Sequence, residues 1–291
     1  MAKNKILVLG SKGQLASQFL DSFENKPIII KNISFENFIN DKNKFKKILY
    51  DFKPNILVNF FAFTNVEECE KNFKKALKYN SSILKNIAGY VKKLNPNVLF
   101  IHISTDFVFS GKKNKPYLES DTCQPINNYG ISKLIGDHNV QLNFKNYIIF
   151  RVGWIFSKSK NSFLYKVLKF AKKNKIIYVT DKEIGRPTSS KYIVNIIKKF
   201  ISKKKYNLVE NEIINISQEP TVSRYKFAKE ILKIYNSRIA KKDEKIQLVK
   251  NKKNKSILKR PKYSALSNLK IRKILSIKKS YWIDDLKSYL N

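Results

Sequence analysis

The sequence has 291 residues, of which 43% are hydrophobic and 13% aromatic. This composition is globular, which excludes an intrinsically disordered protein and a small disulfide-stapled domain. A net charge of +37 suggests nucleic-acid binding, but only six of the 59 basic residues are arginine, the side chain that favours bidentate contacts with bases and phosphates. The lysines are spread along the chain, with one denser stretch at 250–262. We therefore attribute the charge to a lysine-rich composition that attracts anionic ligands, and expect no nucleic-acid partner.

The cysteines and histidines indicate neither a metal site nor an oxidising compartment. Cys69 and Cys123 lack metal-ligand spacing, and His102 and His138 lie outside any carboxylate or cysteine cluster. The first apolar run, residues 5–9, is too short for a signal peptide or a membrane-spanning helix. We expect a cytoplasmic protein with no bound metal and no membrane partner.

Taken in chain order, apolar runs typical of strands alternate with segments of helical spacing. The predicted strands are 5–10, 27–34, 55–62, 97–104, 146–156 and 212–217. The predicted helices are 14–23, 42–52, 64 to about 88, and 282–290. Because the strand runs are apolar on both faces, they indicate a parallel sheet with helices on both sides. We predict an α/β protein with a Rossmann-type doubly wound parallel sheet.

After about residue 236 the pattern weakens into a basic, irregular stretch, and we also predict that the chain is divided into two units. Residues 1–173 are expected to form the dinucleotide-binding core, to which residues 205–235 return. Residues 174–204 and 236–291 are expected to form a smaller C-terminal substrate-binding lobe.

A glycine-containing turn joins the first predicted strand to the first predicted helix. Gly10 permits the tight turn, Gly13 lets the backbone approach a pyrophosphate, and Ala16 is small enough for close helix–strand packing. The spacing G-x-x-G-x-x-A is typical of extended short-chain dehydrogenases/reductases. An NAD site usually has an acidic residue about 20 positions later, but this chain has no carboxylate there and carries Lys31. We predict NADPH as the cofactor, with Lys31 among its ligands, and leave NADH open.

The motif Tyr-x-x-x-Lys has little weight alone in so lysine-rich a chain. It occurs at Tyr129, Tyr165, Tyr178 and Tyr225. Tyr129 differs from the others because a turn at 125–128 leads it into a predicted helix, on which Lys133 lies one turn further along the same face. Thr105 follows the strand at 97–104, at the carboxyl edge where doubly wound sheets bind ligands. We predict that Thr105, Tyr129 and Lys133 form the catalytic centre.

The predicted chemistry is reduction of a carbonyl group. A tyrosine with an ordinary pKa of about 10 is a poor acid–base group at neutral pH, and a nearby ammonium would lower that pKa. Tyr129 is expected to protonate the ketone oxygen while the nicotinamide delivers hydride to the carbon. Thr105 would hydrogen-bond to the same oxygen, and Lys133 would hold the nicotinamide ribose.

Eight segments together resemble the dTDP-4-dehydrorhamnose reductase family, from about residue 5 to the C-terminus. They are LGSKGQL, KPNILVNFFAFTNVEECE, STDFVFSG, PINNYGISKLIGD, RVGWIF, DKEIGRPT, YKFAKEI and RPKYSAL. The resemblance implies NAD(P)H-dependent reduction of a 4-keto sugar nucleotide. The expected conversion is dTDP-4-dehydro-6-deoxy-L-mannose to dTDP-L-rhamnose. The resemblance also allows a homodimer.

The resemblance further implies roles for individual residues. Its cofactor-binding positions are matched by Gly13, Gln14, Leu15, Ile39, Ala62, Phe63, Thr64, Tyr129 and Lys133. Its substrate-contacting positions are matched by Thr105, Asp106, Trp154 and Arg260. Asn80 matches a helical asparagine of the wider superfamily.

Two departures from the family pattern leave other functions open. Phe60 and Phe61 replace small residues that normally border the cofactor, and Gln18 replaces a glutamate that some relatives use for a metal, so we predict no magnesium. One alternative is an NAD-dependent sugar-nucleotide epimerase or dehydratase with the same Tyr/Lys pair. The other is an NADP-binding regulatory subunit without turnover, which the two phenylalanines keep open.

Overall fold

The computed structural model describes residues 4–23, 29–34, 36, 38, 41–172, 176–237, 247–250 and 258–290. The strands are β1 (Lys5–Leu9), β2 (Ile29–Ile33), β3 (Ile56–Asn59), β4 (Leu99–Thr105), β5 (Asn146–Val152), β6 (Ile155–Phe156), β7 (Ile176–Val179), β8 (Ile184–Gly185), β9 (Thr188–Ser189), β10 (Glu212–Ile216), β11 (Val222–Ser223) and β12 (Gln247–Lys250). The α-helices are α1 (Gln14–Asp21), α2 (Lys42–Phe52), α3 (Val66–Lys71), α4 (Phe73–Leu77), α5 (Ile83–Leu94), α6 (Asn128–Asn143), α7 (Phe163–Ala171), α8 (Ser190–Ser202), α9 (Arg224–Asn236), α10 (Leu269–Leu275) and α11 (Trp282–Leu290).

Six strands form one parallel sheet in the order β10-β5-β4-β3-β1-β2. Strands β3 and β4 are buried along their whole length, as expected for apolar strands covered on both faces. From β1 the sheet grows in one direction to β2 and in the other through β3, so a crevice forms at the carboxyl ends where the strand order reverses. The predicted Rossmann-type fold class is confirmed.

Two predicted elements are divided in the structure. The strand predicted over 146–156 ends at Val152, and Trp154 takes a left-handed φ of 48° before β6 begins. The helix predicted from residue 64 consists of α3, α4, a π-helical turn (Lys78–Ser82) and α5. Asn72 separates α3 from α4 because its side chain caps the start of α4, accepting a hydrogen bond from the Lys75 amide at 2.9 Å.

Helices cover the sheet on both faces. One apolar cluster joins the sheet to α1, α8 and α10, with Phe19, Ile197 and Ile271 among its buried side chains. The other joins the opposite face to α2, α5 and α6. Removing this much apolar surface from water is the main driving force for the fold.

A third apolar cluster lies beside the sheet. It is formed by α7, α9 and α11, with Val167, Phe227 and Trp282 at its centre. The clusters do not follow the predicted division of the chain. Helix α8 belongs to the predicted lobe by sequence but packs on the sheet, whereas α7 and α9 belong to the predicted core but pack with the C-terminal helix. The two-unit boundaries therefore remain a prediction.

Within the described ranges, no helix combines the length and apolar composition that a membrane span requires.

Candidate active site

A cleft of about 850 Å³ opens at the carboxyl ends of β1, β4 and β5. Predicted site residues on its walls are Gly13, Gln14, Leu15, Ala62, Thr64, Thr105, Asp106, Tyr129, Lys133, Trp154 and Arg260. Gly10, Ala62 and Phe63 border a neighbouring cavity of about 400 Å³. The fold thus brings the glycine turn and the Tyr/Lys pair to one opening, as parallel strand ends require.

The glycine turn fits a dinucleotide phosphate. Gly10 has a φ of 90°, and a Cβ there would lie 2.9 Å from the Phe61 ring and 3.1 Å from the Phe60 carbonyl carbon. Helix α1 follows with no side-chain cap, so amide donors at its N-terminus remain available to an anion. The side-chain nitrogen of Gln14 is buried without a hydrogen-bond partner. An unsatisfied buried donor facing this cleft suits a polar ligand.

The neighbouring cavity has lysines at its edge, but Lys31 is not among them. Lys12 and Lys75 line the cavity, and the Lys12 ammonium lies 2.7 Å from a carboxylate oxygen of Glu36. The Lys31 ammonium instead lies 5.1 Å from the centre of the Phe52 ring at the end of α2. Ile39 lies outside the described residues. The cofactor roles of Lys31 and Ile39 remain predictions.

The two unusual phenylalanines face different surroundings. Phe61 is buried, and its ring packs 5.6 Å from that of Phe38, centre to centre. Phe60 packs against Phe19 at 5.4 Å and borders both cavities. Of the two, Phe60 is therefore the residue that adds apolar surface to the walls of the main cleft.

Asn80, in the π-helical turn, fixes the chain at Phe63. Its side-chain oxygen accepts a hydrogen bond from the Phe63 amide at 2.7 Å, and its nitrogen donates to the Phe63 carbonyl at 3.0 Å. The same nitrogen donates to the Ser132 hydroxyl on α6 at 3.0 Å. Gly136 allows close contact, because a Cβ there would lie 2.2 Å from the Asn80 carbonyl oxygen. This asparagine therefore ties the predicted cofactor segment at 62–64 to the helix that carries Tyr129.

Tyr129 lies in the first turn of α6, where several contacts fix its position. The Asn127 side chain caps the helix by accepting a hydrogen bond from the Gly130 amide at 2.9 Å. The Tyr129 ring meets the Phe107 ring edge-on at 5.6 Å. Burial raises the pKa of Tyr129, and the nearby Thr105 hydroxyl opposes that rise only in part. The phenol is therefore protonated and able to donate.

Lys133 reaches the floor of the cleft from the next turn of α6. Its side-chain nitrogen donates to the Ile103 carbonyl at 2.7 Å and lies 3.1 Å from Nε2 of His102. Burial lowers the pKa of Lys133 to about 8, although the nearby carboxylate of Asp137 acts in the opposite direction. Sequence reasoning did not assign His102 a role, although a histidine in an apolar strand was a visible signal.

The far wall of the cleft combines aromatic and charged groups. The Arg224 guanidinium stacks 3.6 Å from the centre of a Trp154 ring, and its Nε lies 3.4 Å from a carboxylate oxygen of Glu183. The Trp154 indole donates to the Ser264 hydroxyl at 3.0 Å. Burial raises the pKa of Asp106, in the same wall, to about 6. A cation and a readily protonated carboxyl group thus face one opening.

Comparison with known proteins agrees with this geometry. The profile of the family described as RmlD substrate binding domain matches residues 4–291. A dTDP-4-dehydrorhamnose reductase of Aggregatibacter actinomycetemcomitans is 30% identical over 291 residues, covering 98% of this chain and 97% of the relative. The chain belongs to the RmlD family. The predicted family resemblance is confirmed.

Two further known proteins resemble this RmlD-family chain. The spore coat polysaccharide biosynthesis protein SpsK of Bacillus subtilis is 29% identical, with 98% of this chain and 96% of the relative covered. The fold matches the crystal structure of a Bacillus anthracis dTDP-4-dehydrorhamnose reductase in complex with NADP. That match has a TM-score of 0.88, 24% identity and 99% coverage of both chains.

Two charged residues that line the cleft of this RmlD-family protein were not predicted from the sequence. They are Arg224 and Glu183, which line the same opening as Arg260. Arginine is rare in this chain, so each of its six occurrences was a candidate binding residue, but the large number of lysines made these positions easy to overlook. In the part of the chain that the structure describes, no group of three or more metal-ligating side chains occurs.

Proposed function

We propose that this protein reduces a 4-keto sugar nucleotide with NADPH, converting dTDP-4-dehydro-6-deoxy-L-mannose to dTDP-L-rhamnose. The observation that carries the proposal is the convergence of Thr105, Tyr129 and Lys133 with the uncapped start of α1 in one cleft. Family membership supports the same reaction, since the matched relative from Aggregatibacter bears that name. The Bacillus anthracis protein of the same fold carries NADP, in agreement with this choice of cofactor.

The chain's residues divide the work of the reaction. The cofactor, when bound, supplies the hydride that adds to the carbonyl carbon. Gly13 and the first amides of α1 would hold its phosphates, and Lys133 would hold its ribose. Tyr129 donates its phenolic proton to the carbonyl oxygen, and the Thr105 hydroxyl hydrogen-bonds to that oxygen and orients it. Solvent then returns a proton to the Tyr129 phenolate.

The sugar nucleotide carries a diphosphate, for which the far wall of the cleft is suited. Arg224 and Arg260 line that wall, and the positive charge of Arg260 contributes to lowering the pKa of Arg224, after burial. We assign the diphosphate to these cations and the sugar to the space between Thr105 and Trp154. A cytoplasmic location fits two soluble nucleotide substrates, and a homodimer stays a prediction.

The decisive test follows NADPH absorbance while the purified protein is mixed with dTDP-4-dehydro-6-deoxy-L-mannose. Oxidation of NADPH with formation of dTDP-L-rhamnose is the expected result. NADPH binding without oxidation of the cofactor, over a panel of 4-keto sugar nucleotides, would instead favour a regulatory subunit. Interconversion of a sugar nucleotide with no net oxidation of the cofactor would favour an epimerase or dehydratase.

Lys12→Ala is expected to weaken NADPH binding about three- to fivefold relative to NADH, the effect of one exposed charge pair. Lys12 lines both cavities, whereas Lys31 borders neither. Lys31→Ala is therefore the matched control, expected to leave the ratio of the two dissociation constants unchanged. Fluorescence titration with each cofactor measures both variants. NADPH differs from NADH by a 2′-phosphate. A larger loss of NADPH affinity in Lys31→Ala than in Lys12→Ala would indicate that Lys31 binds this phosphate, as the sequence predicts.

Arg224→Gln is expected to raise KM for the sugar nucleotide by about tenfold or more, because it removes a largely buried cation from the substrate wall. Arg224→Lys keeps a positive charge but loses the flat face that stacks on Trp154. We expect this variant to recover only part of the affinity. Steady-state kinetics at saturating NADPH measures both. An unchanged KM in Arg224→Gln would remove this residue from the diphosphate site.

A further inference from the structure

Below Lys133 lies a buried pair of polar side chains that the proposed reaction leaves unused. Asn59 ends β3 and His102 lies in β4, and the two residues are direct neighbours in the register of the sheet. Both side chains are almost fully excluded from solvent. Polar groups in the centre of an apolar sheet are costly unless they are hydrogen-bonded, so the direction of each bond is informative.

The hydrogen-bond directions determine which nitrogen of His102 carries the proton. The Phe61 amide donates to the Asn59 side-chain oxygen at 3.0 Å, so the Asn59 side-chain nitrogen faces His102. That nitrogen lies 2.9 Å from Nδ1 of His102 and must donate to it. If the Asn59 side-chain amide were rotated by 180°, its nitrogen would face the Phe61 backbone amide, and two hydrogen-bond donors would meet. Nδ1 is therefore unprotonated, and the neutral ring carries its proton on Nε2.

The proton on Nε2 points at Lys133. The two nitrogens lie 3.1 Å apart, and Lys133 donates its own hydrogen to the Ile103 carbonyl on its other side. An ammonium group has no lone pair and cannot accept a hydrogen bond, whereas a neutral amine can. The arrangement is therefore satisfied only when Lys133 is uncharged.

The other ionisable groups nearby do not provide an alternative partner. Asp137, on α6, has an oxygen 3.8 Å from Nε2 of His102, which is too far for a hydrogen bond. Its second oxygen accepts from Ser104 at 2.8 Å and lies 3.7 Å from Nε of Arg151 on β5. Tyr129 is a further ionisable group on α6, and its phenol is protonated. Burial lowers the pKa of His102 well below its usual value, so its ring is neutral at neutral pH, and lowers the pKa of Lys133 to about 8, so its neutral amine predominates above that pH.

We propose that Asn59 and His102 are positioning residues that favour the neutral amine form of Lys133 in the free protein, and that Lys133 takes up a proton when NADPH binds. The second half rests on the proposed function. The phosphates of NADPH bring negative charge into the cleft, and its ribose hydroxyls can accept hydrogen bonds that an ammonium donates. Binding of the cofactor therefore completes the conversion of Lys133 to an ammonium on the helix that carries Tyr129.

Two substitutions change the hydrogen bonding that runs from Asn59 through His102 to Lys133. Asn59→Asp keeps the acceptor for the Phe61 amide but places a carboxylate oxygen at Nδ1 of His102. The ring proton then moves to Nδ1, and Nε2 accepts from a Lys133 ammonium. Asn59→Ala adds no charge and removes the donor that faces Nδ1, so the ring can carry its proton on Nδ1 and accept from a Lys133 ammonium with Nε2. Because Asn59→Asp buries a charge and can unfold the protein, Asn59→Ala gives an independent result.

The first test reads the charge of Lys133 without any cofactor. Reductive methylation with formaldehyde modifies unprotonated amines, and mass spectrometry reports each lysine separately. In the wild type, labelling of Lys133 should be half-maximal near pH 8. In folded Asn59→Ala and Asn59→Asp, the midpoint should rise by about one pH unit or more, with exposed Lys12 as the internal reference. An unshifted midpoint in both variants, or in Asn59→Ala alone if Asn59→Asp does not fold, would overturn the proposal.

The second test measures proton uptake by calorimetry of NADPH binding in two buffers of different ionisation enthalpy. At about pH 8.5, the wild type should take up about three quarters of a proton, since an amine with a pKa near 8 is mostly neutral there. Asn59→Ala and Lys133→Met should take up much less. NADPH binding without proton uptake in the wild type, or unchanged uptake in Lys133→Met, would overturn the linkage. Failure of NADPH to bind would contradict the proposed function, while the labelling result would still decide the role of Asn59 and His102.

Discussion

Tyr129→Phe is expected to lower kcat for reduction of the keto sugar nucleotide by about a thousandfold, within the range for loss of a general acid. The substitution removes only the phenolic oxygen, so the ring contact with Phe107 remains. NADPH binding should change little, because the glycine turn and Lys133 are intact. Stopped-flow absorbance measures hydride transfer, and fluorescence titration measures the dissociation constant for NADPH.

A second tyrosine supplies the matched control for Tyr129→Phe. Tyr165→Phe removes the same atom from another Tyr-x-x-x-Lys pair, on α7, and Tyr165 does not line the cleft. We expect it to retain wild-type kcat. Wild-type turnover in Tyr129→Phe, or equal losses in the two variants, would contradict the catalytic assignment.

Gly130→Ala is expected to lower the free energy of unfolding by about 2–3 kcal/mol, the usual cost of forcing an extra methyl group into a packed site. A Cβ at Gly130 would lie 2.2 Å from the Phe107 carbonyl oxygen and 2.9 Å from the Cβ of Pro125. Relief requires the start of α6 to move away, and Tyr129 moves with it. Since a displacement of about 1 Å can reduce catalysis a hundredfold, kcat should fall as well. Urea denaturation and steady-state kinetics measure the two effects.

Gly89→Ala is the control for this backbone argument. Gly89 lies on the exposed side of α5, and a Cβ there would meet nothing within 4 Å. Alanine favours a helix over glycine, so this variant should gain about 0.5–1 kcal/mol of stability and keep its activity. A similar loss of stability in both variants would show that close packing at residue 130 is not the cause.

The sequence was most informative where a pattern repeats or where chemistry needs adjacent residues. Alternating apolar runs predicted the parallel sheet, and the positions of Gly10 and Gly13 predicted the turn between β1 and α1 at its edge. Lys133 could be placed beside Tyr129 because one helical turn separates them. These inferences depend only on local geometry, which a single sequence contains.

The features that the sequence did not predict depend on contacts between distant parts of the chain. Lys31 was predicted to face the cofactor, but it extends from an edge strand towards Phe52, and strand sequence alone does not determine that direction. Helix α8 was assigned to the lobe because it follows Lys173 in sequence, whereas its apolar face packs on the sheet. Arg224 was missed because its partner Trp154 is 70 positions away.

The interactions of Arg224 limit how the residues of this cleft can change during evolution. Its guanidinium is influenced by Trp154, Glu183, Asp106 and Arg260, which come from four separate segments of the chain. Side chains that share one partner give mutational effects that do not add. A change of substrate preference at any one of them therefore alters the effect of changes at the others. Adaptation to a new sugar nucleotide should proceed through coupled substitutions whose order matters.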